Sequence, residues 1–245
     1  GGQYRTRPIF FYLTFHDMIL AAIGAFCIQT LLFRRGSSND PFGFFTPIFY
    51  EVAYRPKLWY LTHLGAYGLF FLAMLESIQN PLSALRMQTY ISLVFNEGGL
   101  DYIGKAYLSG NVFKAAVATF QNNYLFQTVI LTFLFSLCGI PLGVIKNGLS
   151  FLMSGLLMAP VWAHTSTGYV LHILTIVLEF EAYILACFAV LVWSARLFTA
   201  VRRGGREGLA QLLTGVRSMG GAMLICGGIL AVAALYEAVT LIYMM

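Results

Sequence analysis

The sequence predicts an all-α fold, a polytopic bundle of transmembrane helices with short interfacial helices. Composition is the first observation behind this prediction. Of the 245 residues, 59% are hydrophobic and only 10% are charged, whereas roughly a quarter of the residues in a soluble domain are charged. The second observation is a mean hydropathy of +0.76. The third is the recurrence of apolar runs long enough to cross a bilayer. Together they exclude a soluble globule and predict one transmembrane domain, residues 1–245, surrounded by the lipid bilayer.

About six spans are expected, each a predominantly apolar run flanked by turn formers or basic residues. They lie near residues 9–33, 58–75, 123–144, 149–163, 168–198 and 220–243. The fifth run is nearly unbroken and is long enough to cross a bilayer with some tilt. We therefore expect the other spans to be arranged around it.

The segment 81–122 differs in kind, because it mixes apolar residues with charged ones such as Glu97 and Lys105. Its loosely amphipathic pattern predicts two short helices on or just above the membrane surface. A small extramembrane subdomain packed on a partner protein would have the same pattern. Residues 200–219 are expected to form a basic loop before the last span, with a short interfacial helix near 208–213.

With 15 Lys and Arg residues against 10 Asp and Glu residues, the chain has a formal net charge of +5; the basic residues are the informative ones. They lie at the ends of the apolar runs, as topology signals and lipid headgroup contacts do, and they form no basic groove for nucleic acid. With six spans, they divide about two to one between the two sides of the membrane. The sequence therefore predicts a protein integral to the cell (inner or plasma) membrane, with its basic loops cytoplasmic and both termini outside.

Acidic residues inside the apolar runs form the candidate site. His172, Thr175 and Glu179 recur at helical spacing on one stripe of the fifth span. Glu181 lies about 200° around the same helix from Glu179, and Glu237 is in the last span. A carboxylate at bilayer depth is costly unless it is protonated, paired or facing water. The pattern indicates either a polar patch that lines a cavity or ion path, or carboxylates that bond to neighbouring helices and hold the bundle in register.

Small and turn-forming residues give two predictions about packing. Asn147 and Gly148 predict a tight turn between the third and fourth spans, because both residue types tolerate left-handed backbone. Small residues recur along the last span and favour close contact with another helix. They are Gly227, Gly228, Ala231, Ala234 and Ala238.

No motif for catalysis or for cofactor binding is present in the sequence. It contains no phosphate-binding GxxxxGK[ST] loop, no HExxH or GxSxG motif, no cluster of His residues and no CxxC pair. The chain is therefore not expected to be an enzyme, and neither a metal nor another cofactor is expected.

A set of residues between 119 and 192 resembles, in order and spacing, the sporulation stage II protein M family of integral membrane proteins. These residues are Phe120, Asn122, Asn123, Gly139, Asn147, Gly148, Gly155, Glu179 and Ala182. In that family a His-Gly pair stands before the glutamate. Here Thr175 and Ile176 occupy those positions, and His172 lies one turn earlier. The resemblance covers under a third of the chain.

The resemblance implies a non-catalytic membrane scaffold or assembly subunit that holds other membrane or envelope proteins, notably cell-wall hydrolases, in a complex. A homo-oligomer would be compatible with that role. A permease subunit of an ABC-2 type exporter, with its ATPase on a separate chain, is the rival hypothesis. An accessory subunit of a respiratory or photosynthetic complex is a further alternative.

Overall fold

The computed structural model describes residues 7–36, 45–158 and 167–243, and within these ranges the chain forms helices and no strand. The α-helices are α1 (Arg7–Gly36), α2 (Thr46–Tyr54), α3 (Pro56–Gln79), α4 (Pro81–Asn96), α5 (Asp101–Leu108), α6 (Val112–Phe120), α7 (Leu142–Leu157), α8 (Thr167–Arg203) and α9 (Gly205–Tyr243). Between α6 and α7 lie a π-helix (Gln121–Phe133) and a 3₁₀ turn (Leu134–Ser136).

Four helices are long and apolar enough to cross a membrane. Their apolar parts are His16–Phe33 in α1, Pro56–Gln79 in α3, Leu171–Arg203 in α8 and Gly205–Tyr243 in α9. The predicted all-α membrane-type fold is thereby confirmed in its class. The count of six spans is not, because the segments expected as the third and fourth spans have a different structure.

The expected third span, 123–144, contains most of the π-helix, the 3₁₀ turn that ends at Ser136 and the start of α7. The π-helix continues α6 without a break. The expected fourth span, 149–163, coincides in part with α7, which has 16 residues, and its end lies outside the described residues. A helix needs about 20 residues to cross the hydrocarbon core. Neither segment is among the four described helices that are long and apolar enough to cross a membrane, and both lie in the bundle beside those helices.

The turn predicted at Asn147 and Gly148 is wrong, because both residues lie inside α7. The chain reverses earlier, over residues 137–141, where Gly139 has a φ of 88° that only glycine adopts readily. An Asn-Gly pair favours a turn locally. Here the Asn147 amide is fully buried and donates to Thr132 Oγ1 (3.0 Å) and Cys187 Sγ (3.3 Å). These tertiary contacts hold Asn147 in a helix.

The basic loop expected over 200–219 is replaced by a hairpin of two long helices. α8 continues to Arg203 and α9 begins at Gly205. The reversal is made by Gly204 and Gly205, with φ of 63° and 52°. The segment 81–122, for which two helices were expected, contains three, namely α4, α5 and α6.

Helix α8 is the central helix of the bundle. Within the protein, 83% of its apolar part is buried, against 22–33% for the other three candidate spans. Its residues Ala182, Leu185 and Phe188 have no exposed surface. The expectation that the other helices are arranged around residues 168–198 agrees with this packing.

The small residues of α9 contact two different neighbours. Ala238 packs with Ala115 and Ala116 of α6, and a Cβ atom on Gly227 would lie 3.0 Å from the ring of Tyr124. Ala234 is also buried. By contrast, Ala231 is exposed, and a Cβ atom on Gly228 would meet no atom within 4 Å. Close packing therefore uses only part of the predicted set.

Candidate site: an acidic cavity among the helices

The π-helix places two asparagines inside the bundle. Gln121–Phe133 is 13 residues long, whereas most π-helices are single turns, frequently at functional sites. Its wider turns are accompanied by side-chain bonds to carbonyls five residues back. Thr128 Oγ1 donates to the Asn123 carbonyl at 2.7 Å, and Thr132 Oγ1 donates to the Gln127 carbonyl at 2.8 Å. Asn122 and Asn123 therefore lie on a π-helical backbone, which differs from that of an α-helix.

These asparagines line a cavity of about 510 Å³ where α4, α5, α6, the π-helix, α8 and α9 meet. We call it the acidic cavity. Its polar lining is Tyr107, Thr119, Asn122, Asn123, His172, Glu179 and Glu237, and its apolar lining includes Phe95, Ile103 and Leu241. The structure thus brings together three of the five residues of the predicted polar site, namely His172, Glu179 and Glu237. The two carboxylates are close enough to interact electrostatically.

A chain of amide hydrogen bonds fixes the orientation of both asparagines. Asn122 Nδ2 donates to Asn123 Oδ1 at 2.9 Å, and Asn123 Nδ2 donates to Glu179 Oε1 at 2.6 Å. Since both donations run toward the carboxylate, the free end of the chain is the Asn122 carbonyl oxygen. That oxygen and His172 Nδ1 are buried and find no hydrogen-bond partner in the part of the chain that the structure describes. Buried polar atoms are rarely left unpaired.

Tyr107 supplies the hydroxyl of the cavity from α5. Its oxygen lies 3.0 Å from Thr119 Oγ1. Burial raises the pKa of Tyr107, and the negative charge of Glu237 raises it further. The phenol is therefore protonated at physiological pH, and it donates a hydrogen bond to the Glu237 carboxylate.

Two of the predicted site residues lie elsewhere. Thr175 is almost fully buried, and its hydroxyl oxygen has no partner among the described residues. Glu181 faces α3, where His63 Nε2 lies 3.1 Å from its Oε2 and the Tyr67 hydroxyl donates to its Oε1 at 2.7 Å. The hydrogen-bond partners of Glu181 are therefore on the same chain.

Both ring nitrogens of His63 face an oxygen atom. His63 Nδ1 lies 3.0 Å from the Trp59 carbonyl oxygen, which can only accept, so Nδ1 carries a hydrogen. Nε2 faces the Glu181 carboxylate at 3.1 Å, so the ring is held between α3 and α8. Sequence reasoning did not find His63 and Tyr67 as partners of Glu181, since they are more than a hundred residues away in the chain.

Replacing Tyr67 with phenylalanine tests whether this cluster is structural. The change removes the 2.7 Å bond to Glu181 while keeping the ring. We expect a destabilisation of about 1.5–3 kcal/mol, the usual range for a hydrogen bond to a charged group. Thermal unfolding in detergent measures it. The control is Tyr90→Phe at an exposed position of α4, and equal effects of the two changes would contradict a structural role for the bond.

A second buried network lies at the end of the bundle where α2, α8 and α9 meet. Glu51 is fully buried. Its Oε2 accepts from Arg55 Nε at 2.9 Å, and its Oε1 accepts from Arg196 Nε at 2.6 Å and from Arg196 Nη2. Arg196 Nη1 also donates to Gln211 Oε1 at 2.6 Å. Nothing in the sequence singled out Glu51, which lies between the expected spans 9–33 and 58–75.

The fold and these contacts define a helical membrane protein with a polar cavity inside its bundle. No family model matches the chain, and neither a curated protein nor a solved structure does.

Proposed function

We propose that this chain is a permease-type transport subunit of a membrane complex, and that the acidic cavity is its solute-binding site. The observation that supports the proposal is the contrast between the acidic cavity and the other buried acids. Glu51 and Glu181 are each surrounded by donors on the same chain. The acidic cavity instead has space for a ligand, two carboxylates and an unpaired buried acceptor.

A solute site at this place is physically reasonable because intramembrane ionisable residues that face a cavity commonly mark substrate or ion paths. The sequence holds no ATP-binding loop, so the energy for transport would come from a separate ATPase chain or from an ion gradient. The turn between α8 and α9, with Arg202, Arg203 and Arg206 beside it, would face the cytoplasm by the positive-inside tendency.

The second candidate function is the scaffold or assembly subunit that the resemblance to the stage II protein M family implies. Two exposed apolar side chains favour it. Leu108 is 87% exposed and Phe113 is 77% exposed. Both flank the turn between α5 and α6, outside the four candidate spans. Large exposed apolar groups of this kind suit a membrane surface or a partner protein.

Replacing Glu179 with glutamine separates the two functions. The protein is extracted in mild detergent with whatever remains bound, and its partners are identified by mass spectrometry. The same sample is placed in proteoliposomes, where the fluxes of protons, potassium and small amines are recorded. A transport subunit should lose about tenfold or more of its flux, because one of two charges at the site is gone, while its partners are unchanged.

Glu207→Gln is the matched control, since Glu207 is an exposed glutamate of α9 whose contact with Arg203 is 3.6 Å. It should leave flux and partners as they are. Loss of partners in the Glu179 variant, with no flux in the unaltered protein, would favour the scaffold. A stoichiometric ATPase among the partners would support the permease.

A further inference from the structure

We propose that the acidic cavity binds an organic cation that carries a primary ammonium group. The proposal rests on the proposed function only in treating this cavity as a solute site. It names the class of solute, and binding can be measured without transport.

The charge of the cavity calls for a cation. Glu179 from α8 and Glu237 from α9 face the same space inside a helical membrane bundle. Two carboxylates in such surroundings are costly unless protonation removes the charge or a cation compensates it. Neither Lys nor Arg is among the described residues that line the cavity. His172 is the one described lining residue whose side chain could become a cation, and a single imidazolium would offset only one of the two carboxylates. A bound cation from outside the chain would compensate the other.

The side-chain carbonyl oxygen of Asn122 calls for a ligand that carries hydrogen-bond donors. Only 9% of this residue is exposed. Its amide nitrogen donates along the chain toward Glu179, so the carbonyl oxygen is left as an acceptor without a partner among the described residues. Asn122 lines the cavity together with both carboxylates. An ammonium group has three N–H donors and no acceptor, which matches one amide oxygen and two carboxylates.

The size and the walls of the cavity favour an organic molecule. A volume of about 510 Å³ falls within the range of small-molecule pockets, roughly 300–1,000 Å³, and a single inorganic ion would fill little of it. The apolar wall contains Phe95, Ile103 and Leu241, which suit an aliphatic or aromatic portion of the ligand. The expected ligand thus has an ammonium head and a short apolar body.

The probe is n-butylammonium, titrated into the purified protein in nanodiscs and followed by calorimetry. Tetramethylammonium, which has the charge but no N–H donor, and sodium and potassium chloride are the comparators. We expect one butylammonium per chain, bound at least about tenfold more tightly than tetramethylammonium, because the latter leaves the acceptors unpaired. This comparison uses the unaltered protein, so it does not depend on a variant that folds.

Asn122→Leu is expected to weaken butylammonium binding about tenfold, the loss of one hydrogen bond to a charged group. Gln121→Leu changes the neighbouring amide, which lies on the exposed side of the π-helix, and should leave binding unchanged. Three results would overturn the proposal: no butylammonium binding, equal binding of tetramethylammonium, or tighter binding of sodium or potassium that depends on Asn122.

The outcomes also separate this proposal from the transport function. Butylammonium binding without any flux would remove the transport function and leave the cation site in place. Flux that requires Glu179 without butylammonium binding would keep the transport function and remove this choice of solute.

Discussion

Replacing Glu51 with alanine is expected to destabilise the protein by about 3–5 kcal/mol, the cost of breaking a buried ion pair by removing one partner. Glu51 is fully buried and joins α2 to α8 through Arg196, whose side chain is only 11% exposed. Without the carboxylate, the Arg196 guanidinium keeps its bond to Gln211 but loses its counter-charge. The midpoint of thermal unfolding in detergent, with helix content followed by circular dichroism, measures the loss.

The control is the exposed ion pair between Arg203 and Glu207, whose side chains are 56% and 74% exposed. Glu207→Ala should cost less than about 1 kcal/mol, since exposed pairs contribute little. A double variant, Glu51→Leu with Arg196→Met, should recover much of the lost stability, because it removes both charges together. If Glu51→Ala and Glu207→Ala had equal effects, the buried network would not be a structural centre of the bundle.

The class of the fold could be predicted from the sequence because hydropathy is a property of long segments. The apolar run at 168–198 predicted the central helix, and α8 is indeed the most buried of the candidate spans. The boundaries between helices were less predictable. A π-helix is defined by its i→i+5 backbone hydrogen bonds, and no residue pattern in 121–133 predicted them.

Local signals failed where tertiary contacts outweigh them. The Asn147-Gly148 pair is a good turn sequence by itself, yet the Asn147 amide bonds to Thr132 and Cys187. Those partners are 15 and 40 residues away. The structure turns instead at Gly139, where the positive φ can be tolerated.

Part of the candidate site could be predicted because helical spacing is local. It placed His172 and Glu179 on one face, and both line the acidic cavity. The spacing also separated Glu181 from Glu179, and the two residues do face different neighbours. By contrast, the position of Glu237 on α9 and the orientation of the asparagine amides depend on how the helices pack. A residue pattern within one segment does not contain that information.

Gly155→Ala is expected to destabilise the protein by about 2–3 kcal/mol, toward the upper end of the usual range for overpacking. Helices α3 and α7 pack closely at this residue. A Cβ atom on Gly155 would overlap the carbonyl oxygen of Phe70 and lie 2.9 Å from Ala73 Cβ. Because the overlapped atom belongs to the backbone, relief requires the two helices to move apart rather than a side chain to rotate.

Gly148→Ala is the matched control, because Gly148 lies on the same helix and also faces α3. There the added Cβ would meet only Leu69 Cδ1, at 3.5 Å, which is an ordinary van der Waals contact. Alanine favours a helix over glycine by about 1 kcal/mol, so this variant should be as stable as the original protein or slightly more stable. The unfolding temperatures of both variants, measured in the same detergent, show whether their stabilities differ as expected. If Gly155→Ala unfolded at the same temperature as Gly148→Ala, the close approach of α3 and α7 at Gly155 would be refuted.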